Sequence, residues 1–325
     1  MASAALPAAA TARDRQHFRD LDGLRGVLAL AVVLLHFGFN SFTQRALGWN
    51  GFRFELAVDV FFLLSGYVLT YATRSGVRAG QFAARRFLRL APVFYVTTLV
   101  TLLAAPSGWH PAELAMAVPM TGNDPANFPA WSVCWEFYLP VLAVLVPVRV
   151  PDRWVKPLLL VALLALGLAD VGVAGGEQLY LARAACGLAA GHLLYRSGLT
   201  LVLPLLPLFA ALGLIMALAT YVPLAAIFLP IVSCLCILAG RNGGSVFATA
   251  PAQALGYLSY TLYLVHIPVL RVMQLWFGTA IDANPLAKAA ALLATFLLAW
   301  LLSVTIERPA MRLARYWPGT VGKHD

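Results

Sequence analysis

Ten runs of apolar residues, each close to the length of a membrane-crossing helix, recur along this chain of 325 residues and leave few folds open to it. They fall near 24–40, 55–73, 89–105, 131–147, 157–173, 178–195, 199–218, 223–239, 254–277 and 286–305. A helix needs about 20 such residues to cross a hydrocarbon core about 30 Å thick. Hydrophobic residues make up 61% of the chain, charged residues only 11%, and mean hydropathy is +0.80. A water-soluble domain cannot hide that much apolar surface. The pattern therefore predicts an all-α, polytopic transmembrane helical bundle of about ten spans. No internal repeat and no separate soluble domain is visible.

Orientation follows from the basic residues. With the N-terminus in the cytoplasm, every Lys and Arg except Arg45, Arg53, Arg183, Arg271 and Lys288 falls on the inner side, which predicts both termini cytoplasmic. The net charge of +9 is accounted for by this topology, and no fold signal for nucleic-acid binding accompanies it. Residues 1–16 lack an apolar core and read as a mobile tail. A membrane domain over 17–315 and a short tail over 316–325 complete the division. Usage rich in Ala, Leu and Arg fits a GC-rich bacterial genome, so the expected location is the bacterial cytoplasmic (inner) membrane. Cys134, Cys186, Cys234 and Cys236 lie inside predicted spans without paired histidines, so no metal site is expected.

Ionisable groups inside these runs carry the functional information, because such groups are costly in lipid and imply a polar interior. Arg25 stands at the mouth of the first run and His36 eleven positions further in. Eleven helical steps return to nearly the same face and span roughly 16 Å. The pair thus places a fixed cation at one surface and an imidazole toward the middle. Asp59 and Glu136 lie within or at the edge of spans, where each calls for a partner. Arg86 and Arg89 lie one turn apart at the inner end of the third span. His266 sits deep in a span with Tyr257, Tyr260 and Tyr263, two residues before Pro268.

The segments bearing these residues resemble one family. Phe18-Arg19-Asp20-Leu21-Asp22-Gly23-Leu24-Arg25-Gly26 leading to His36, and Val58-Asp59-Val60-Phe61-Phe62-Leu63-Leu64-Ser65-Gly66-Tyr67, are similar to the opening of the acyltransferase-3 integral membrane O-acyltransferases. The similarity continues through Phe82–Pro92, Trp131-Ser132-Val133-Cys134-Trp135-Glu136-Phe137-Tyr138, Leu255–Pro268 and Glu307-Arg308-Pro309. The family's arginine, ten residues, histidine signature falls on Arg25 and His36, and its Arg-x-x-Arg signature on Arg86 and Arg89. In the fourth span Phe137 and Tyr138 follow Glu136 two residues earlier than in related sequences, which turns them by about 200° on the helix.

The resemblance implies transfer of an acyl group, often acetyl, from acyl-CoA to a hydroxyl of a sugar, a cell-surface polysaccharide or a natural product. Such chemistry needs a base at the attacking oxygen, donors for the developing oxyanion and a hold on a polyanionic carrier. His36 suits the first role, since imidazole takes up and returns a proton near neutral pH. Arg25, Arg86 and Arg89 suit the last, as phosphate-binding guanidinium groups. Glu136 or Asp59 can orient His36, or equally can neutralise a buried arginine and do no chemistry. Trp131, Tyr263 and His266 are candidates for the acceptor's path, and His266 is equally a candidate to stabilise the helix break at Pro268. Ser65-Gly66 reads as a close helix-packing step, not a nucleophile. Asp170 and Arg183, near the outer edge of adjacent spans, read as a pair.

One long connection, 106–130, carries five prolines and no Lys or Arg, and its length suits a lid over the acceptor site. Two rival readings remain. The acceptor is a macrolide or other cytoplasmic product, or the chain is a transporter or flippase of sugars or lipid-linked sugars, whose path buried charges would also line. Acyl-CoA, a hydroxyl-bearing acceptor and the lipid bilayer are the expected partners, and nucleic acid is not.

Overall fold

A computed structural model describes residues 12–104, 120, 127–239, 245–278 and 284–316, with side chains from Phe18 to Ala314. All regular structure among them is helical. Most of the expected lid lies outside the described residues, as do 1–11 of the expected N-terminal tail and everything after Tyr316. The chain forms two compact units, one from Met1–Ser75 and Val148–Ser259, the other from Gly76–Pro147 and Tyr260–Asp325.

The first unit holds α1 (Ala12–His36), α2 (Phe39–Leu47), α3 (Ala57–Thr73), α6 (Asp152–Ala174), α7 (Tyr180–Arg196), α8 (Leu205–Leu218), α9 (Leu229–Ala239) and the start of α10 (Ala250–Phe277). The break after α1 comes from Gly38, whose φ of 79° is a left-handed conformation that glycine adopts without strain. There the axis turns by 68° into α2.

α3 packs on α7, and α7 on α6. The α3–α7 crossing brings backbone against backbone, because both helices present glycine there. A Cβ added at Gly191 would lie 2.0 Å from the Leu63 carbonyl oxygen, and one at Gly66 would lie 2.2 Å from that of Leu188. Small residues at the contact are how helices associate where lipid offers no hydrophobic drive. Gly66 thus holds the packing position expected of the Ser65-Gly66 step. Gly191→Ala is expected to cost about 1–3 kcal/mol, the usual range for overpacking. Gly213→Ala, in open space on α8, should stay within about 0.5 kcal/mol. Thermal unfolding in detergent compares them, and equal midpoints would show that the crossing is not tight.

The second unit holds α4 (Ala79–Leu103), α5 (Trp131–Leu145), the rest of α10, α11 (Pro285–Leu302) and α12 (Arg308–Tyr316). A π-helical turn, Ser303–Glu307, joins α11 to α12 and packs on α4. Prolines interrupt α4 at Pro92, α5 at Pro140 and α10 at Pro268.

Many large apolar side chains face outward, and some small or acidic residues lie inside beside an apolar core. On α6, Leu160, Val161, Leu164 and Leu168 face outward, whereas Gly167, Ala169 and Asp170 are buried. Each of the ten predicted runs contains a helix. By length and composition, five described helices can cross a membrane, or six counting the bent α1–α2 pair. Part of the shortfall is one of length. α8, for example, has 14 residues, roughly 21 Å at the helical rise.

Candidate active site

In the first unit, α1 carries both residues of the arginine–histidine signature. Arg25 donates from Nε to Ser259 Oγ on α10 at 3.0 Å and from Nη2 to Asp22 at 3.0 Å. Ser259 in turn donates to the Gly256 carbonyl at 2.8 Å, leaving its lone pairs for Arg25. The reach is short because α1 and α10 touch through glycines: a Cβ at Gly26 would stand 2.2 Å from the Gly256 nitrogen. Arg25 is only half-buried and bonds to no other described side chain, so part of its donor fork points away from these partners.

His36 is the last residue of α1, just before the break at Gly38. Its Nδ1 lies 2.9 Å from the Val32 carbonyl. A carbonyl can only accept, so Nδ1 carries the proton and a neutral ring keeps its lone pair on Nε2. A backbone carbonyl thus orients His36 from one turn below.

Asp59 has a different engagement. Arg183 donates from Nε to both its oxygens, at 2.9 and 3.2 Å, and from Nη2 to Oδ2 at 2.6 Å. Arg183 also holds the Glu55 carbonyl at 2.9 Å. Both side chains are almost wholly buried, with 4% and 1% of their surface exposed. Of the two alternatives open to Asp59, the structure displays the neutralised arginine. It also revises the expected pairing of Arg183 with Asp170: Arg183 grips Asp59, and Asp170 is buried beside them.

In the second unit, the Arg-x-x-Arg pair divides. Arg86 is buried, its Nε donating to the Glu136 backbone carbonyl at 2.5 Å and its Nη2 standing 3.9 Å from the Glu136 carboxylate. Arg89 is half-buried and makes no hydrogen bond or ion pair with any described residue. Tyr260 lies within electrostatic reach of Arg89, Glu136 and Glu307, and its hydroxyl donates to the Leu90 carbonyl. The π turn ends at Glu307, which accepts from Ser303 at 3.1 Å.

Trp131, Tyr263 and His266 are all buried. Tyr263 donates to the Pro129 carbonyl at 3.0 Å and accepts from Ser132 at 3.0 Å, fastening the turn that starts α5. Its ring lies 6.1 Å from that of His266. The carbonyl that Pro268 frees, that of Leu264, is met by Asn127 Nδ2 at 3.3 Å, so Asn127 caps this break. Ser259, Arg183 and Asn127 were not assigned these roles from sequence. Only the prolines signal in advance that a carbonyl four residues back needs a donor.

Apolar spans enclosing buried arginines, carboxylates and an oriented histidine define an integral membrane protein with a polar interior suited to chemistry. The acyltransferase-3 model, described as an acyltransferase domain, matches residues 18–304, and the chain belongs to that family of acyltransferases. It is 32% identical over 99 residues to the peptidoglycan O-acetyltransferase OatA of Listeria monocytogenes, covering 29% of this chain and 14% of that one. It is 37% identical over 94 residues to protein 2 in the picA locus of Rhizobium radiobacter, covering 27% and 46%. It is 36% identical over 85 residues to the acyltransferase MdmB of Streptomyces mycarofaciens, covering 25% and 22%. The chain thus spans less than half the length of these relatives. No solved structure matches it.

Proposed function

We propose that the protein is a membrane-bound O-acyltransferase. It moves an acyl group, acetyl in the simplest case, from acyl-CoA to a hydroxyl of a sugar, a cell-surface polysaccharide or a glycosylated natural product. The observation that carries this reading is the state of the signature residues. His36 is oriented through Nδ1 with its lone pair on Nε2, while Arg25 and Arg89 are half-buried and keep donors that no described residue engages. A related peptidoglycan O-acetyltransferase supports a cell-surface glycan as acceptor.

In the reaction, His36 Nε2 takes the proton of the acceptor hydroxyl as its oxygen bonds to the thioester carbonyl carbon. The carbon–sulfur bond then breaks, and the proton passes to the departing thiolate, giving ester and free CoA. Arg89 is the charge-assisted donor assigned to the phosphates of the carrier, and Arg25 is a second candidate for the same role. Trp131, Tyr263 and His266, each buried, are the residues we assign to the acceptor's path. Ten spans from the apolar runs, both termini cytoplasmic from the basic residues, and a bacterial inner membrane complete the proposal, in which the inner-side arginines would meet acyl-CoA where it is made.

The test is acyl-CoA consumption by purified protein in nanodiscs with a panel of glycosyl and macrolide acceptors, each product weighed by mass spectrometry. Acceptor-dependent CoA release is expected. A folded protein that binds no acyl-CoA sinks this reading and moves the question to transport of sugars or lipid-linked sugars. In the same assay Arg89→Gln is expected to raise the KM for acyl-CoA about tenfold or more, with kcat near wild type. The size follows from a charged hydrogen bond worth about 1.5–3 kcal/mol. An unchanged KM would remove Arg89 from the donor site.

A further inference from the structure

Pro140 stands four residues after Glu136 in α5, so the helix has no N–H to offer the Glu136 carbonyl. At membrane depth no water replaces the missing donor, and a carbonyl left bare is costly. Arg86 supplies it from α4. One guanidinium therefore meets two features of the same residue, hydrogen-bonding the carbonyl through Nε and standing 3.9 Å from the carboxylate at Nη2, an electrostatic contact without a hydrogen bond. Glu136 is held between its own backbone and its own side chain.

This commitment bears on what Arg86 can do for a ligand. Only 8% of its side-chain surface is exposed. A phosphate that drew the Arg86 guanidinium away would take Nε from the Glu136 carbonyl, and nothing inside α5 replaces that donor. Arg89 has no such engagement among the described residues. The two arginines are one helical turn apart, yet burial and bonding separate them into one that faces the protein and one with donors to spare.

We infer that Arg86 is a positioning residue that acts through Glu136, bridging the backbone gap opened by Pro140 and aiming the Glu136 carboxylate, while Arg89 alone of the pair reaches the phosphates of the acyl donor. The inference rests on the O-acyl-transfer reading for what Glu136 is aimed at, but the contact itself does not. A partly buried carboxylate held beside a buried guanidinium can orient or stabilise a charged partner during turnover without touching the carrier, so its loss appears in kcat.

Pro140 provides the test, because an alanine there restores the N–H that Arg86 replaces. Arg86→Gln, Pro140→Ala and the double variant are compared in the full chain in nanodiscs by kcat, KM for acyl-CoA and thermal midpoint. Pro140→Ala alone is expected to stay near wild type. Arg86→Gln is expected to lower kcat about tenfold or more while the donor KM moves less than about threefold. In the Pro140→Ala background the same substitution should cost at least about threefold less in kcat and a smaller drop in midpoint, a coupling expected only of groups in contact.

Equal losses in both backgrounds would overturn the inference, as would a tenfold rise in donor KM in both, which would make Arg86 a ligand. If Arg86→Gln fails to fold with Pro140 present, folding of the double variant is itself the expected rescue, and its failure counts against the inference. A wild type that folds but turns over no acyl-CoA rejects the enzymatic reading, and coupling of the midpoints then decides the contact on its own.

Discussion

Arg183→Met should be among the most destabilising single substitutions in the protein, at about 3–5 kcal/mol. The size comes from what remains after the change. Arg183 makes three hydrogen bonds to the Asp59 carboxylate and one to the Glu55 carbonyl, and Asp170 is buried beside them. Removing that cation leaves the Asp59 carboxylate buried against a second acidic side chain, Asp170, without the guanidinium that pairs with it. A buried charge that loses its partner keeps its full desolvation cost, whereas a pair replaced by apolar residues of similar volume loses little.

Asp59→Asn should therefore cost less than Arg183→Met, since Arg183 keeps the Glu55 carbonyl and an amide oxygen at position 59, with the acidic Asp170 nearby. The double change Asp59→Leu with Arg183→Met should recover part of the single loss. Unfolding by heat or by denaturing detergent ranks the three. If Arg183→Met costs under about 1 kcal/mol, as exposed pairs do, the network is wetter than its geometry implies.

The same network shows what was legible in the sequence. That Asp59 needed a cation followed from its place in an apolar run, and an arginine was one of its expected partners. Which arginine was not legible, because Arg183 is 124 residues away and a nearer carboxylate, Asp170, offered an equally sensible match. Local patterns carried further. The ten apolar runs marked the helices, and Gly66 marked the place where α3 meets another helix, though not that Gly191 would be the partner surface.

The prolines fall between these cases. Pro140 and Pro268 announce that the carbonyls of Glu136 and Leu264 lack donors, by chain position alone. The donors, Arg86 and Asn127, lie 50 and 137 residues from those carbonyls and emerge only from packing. The signature pairs behaved similarly. Spacing placed Arg86 and Arg89 one turn apart but could not say that one would be buried against Glu136 and the other left half-exposed. Which side chains are engaged by the protein is a tertiary property, and it separates residues that one motif groups together.

His36→Ala is expected to lower kcat for acyl transfer by about 10²- to 10⁴-fold while acyl-CoA binding persists, the range general-base catalysis supplies. His36 sits at the C-terminal end of α1, where Gly38 ends the helix and the chain turns by 68°. A broken helix inside an apolar region is tolerated where it is buried in protein or lines a polar cavity, which is the setting a reacting hydroxyl requires. The Val32 carbonyl holds Nδ1, so in the proposed reaction Nε2 is the nitrogen that would take the proton. His36→Gln keeps a polar side chain there but no proton acceptor of comparable basicity, and should fall nearly as far. Rapid-quench turnover with acyl-CoA binding measured by calorimetry separates the cases. A His36→Ala enzyme within tenfold of wild type would remove His36 from the reaction, and one that loses acyl-CoA binding as well would place it in the donor site.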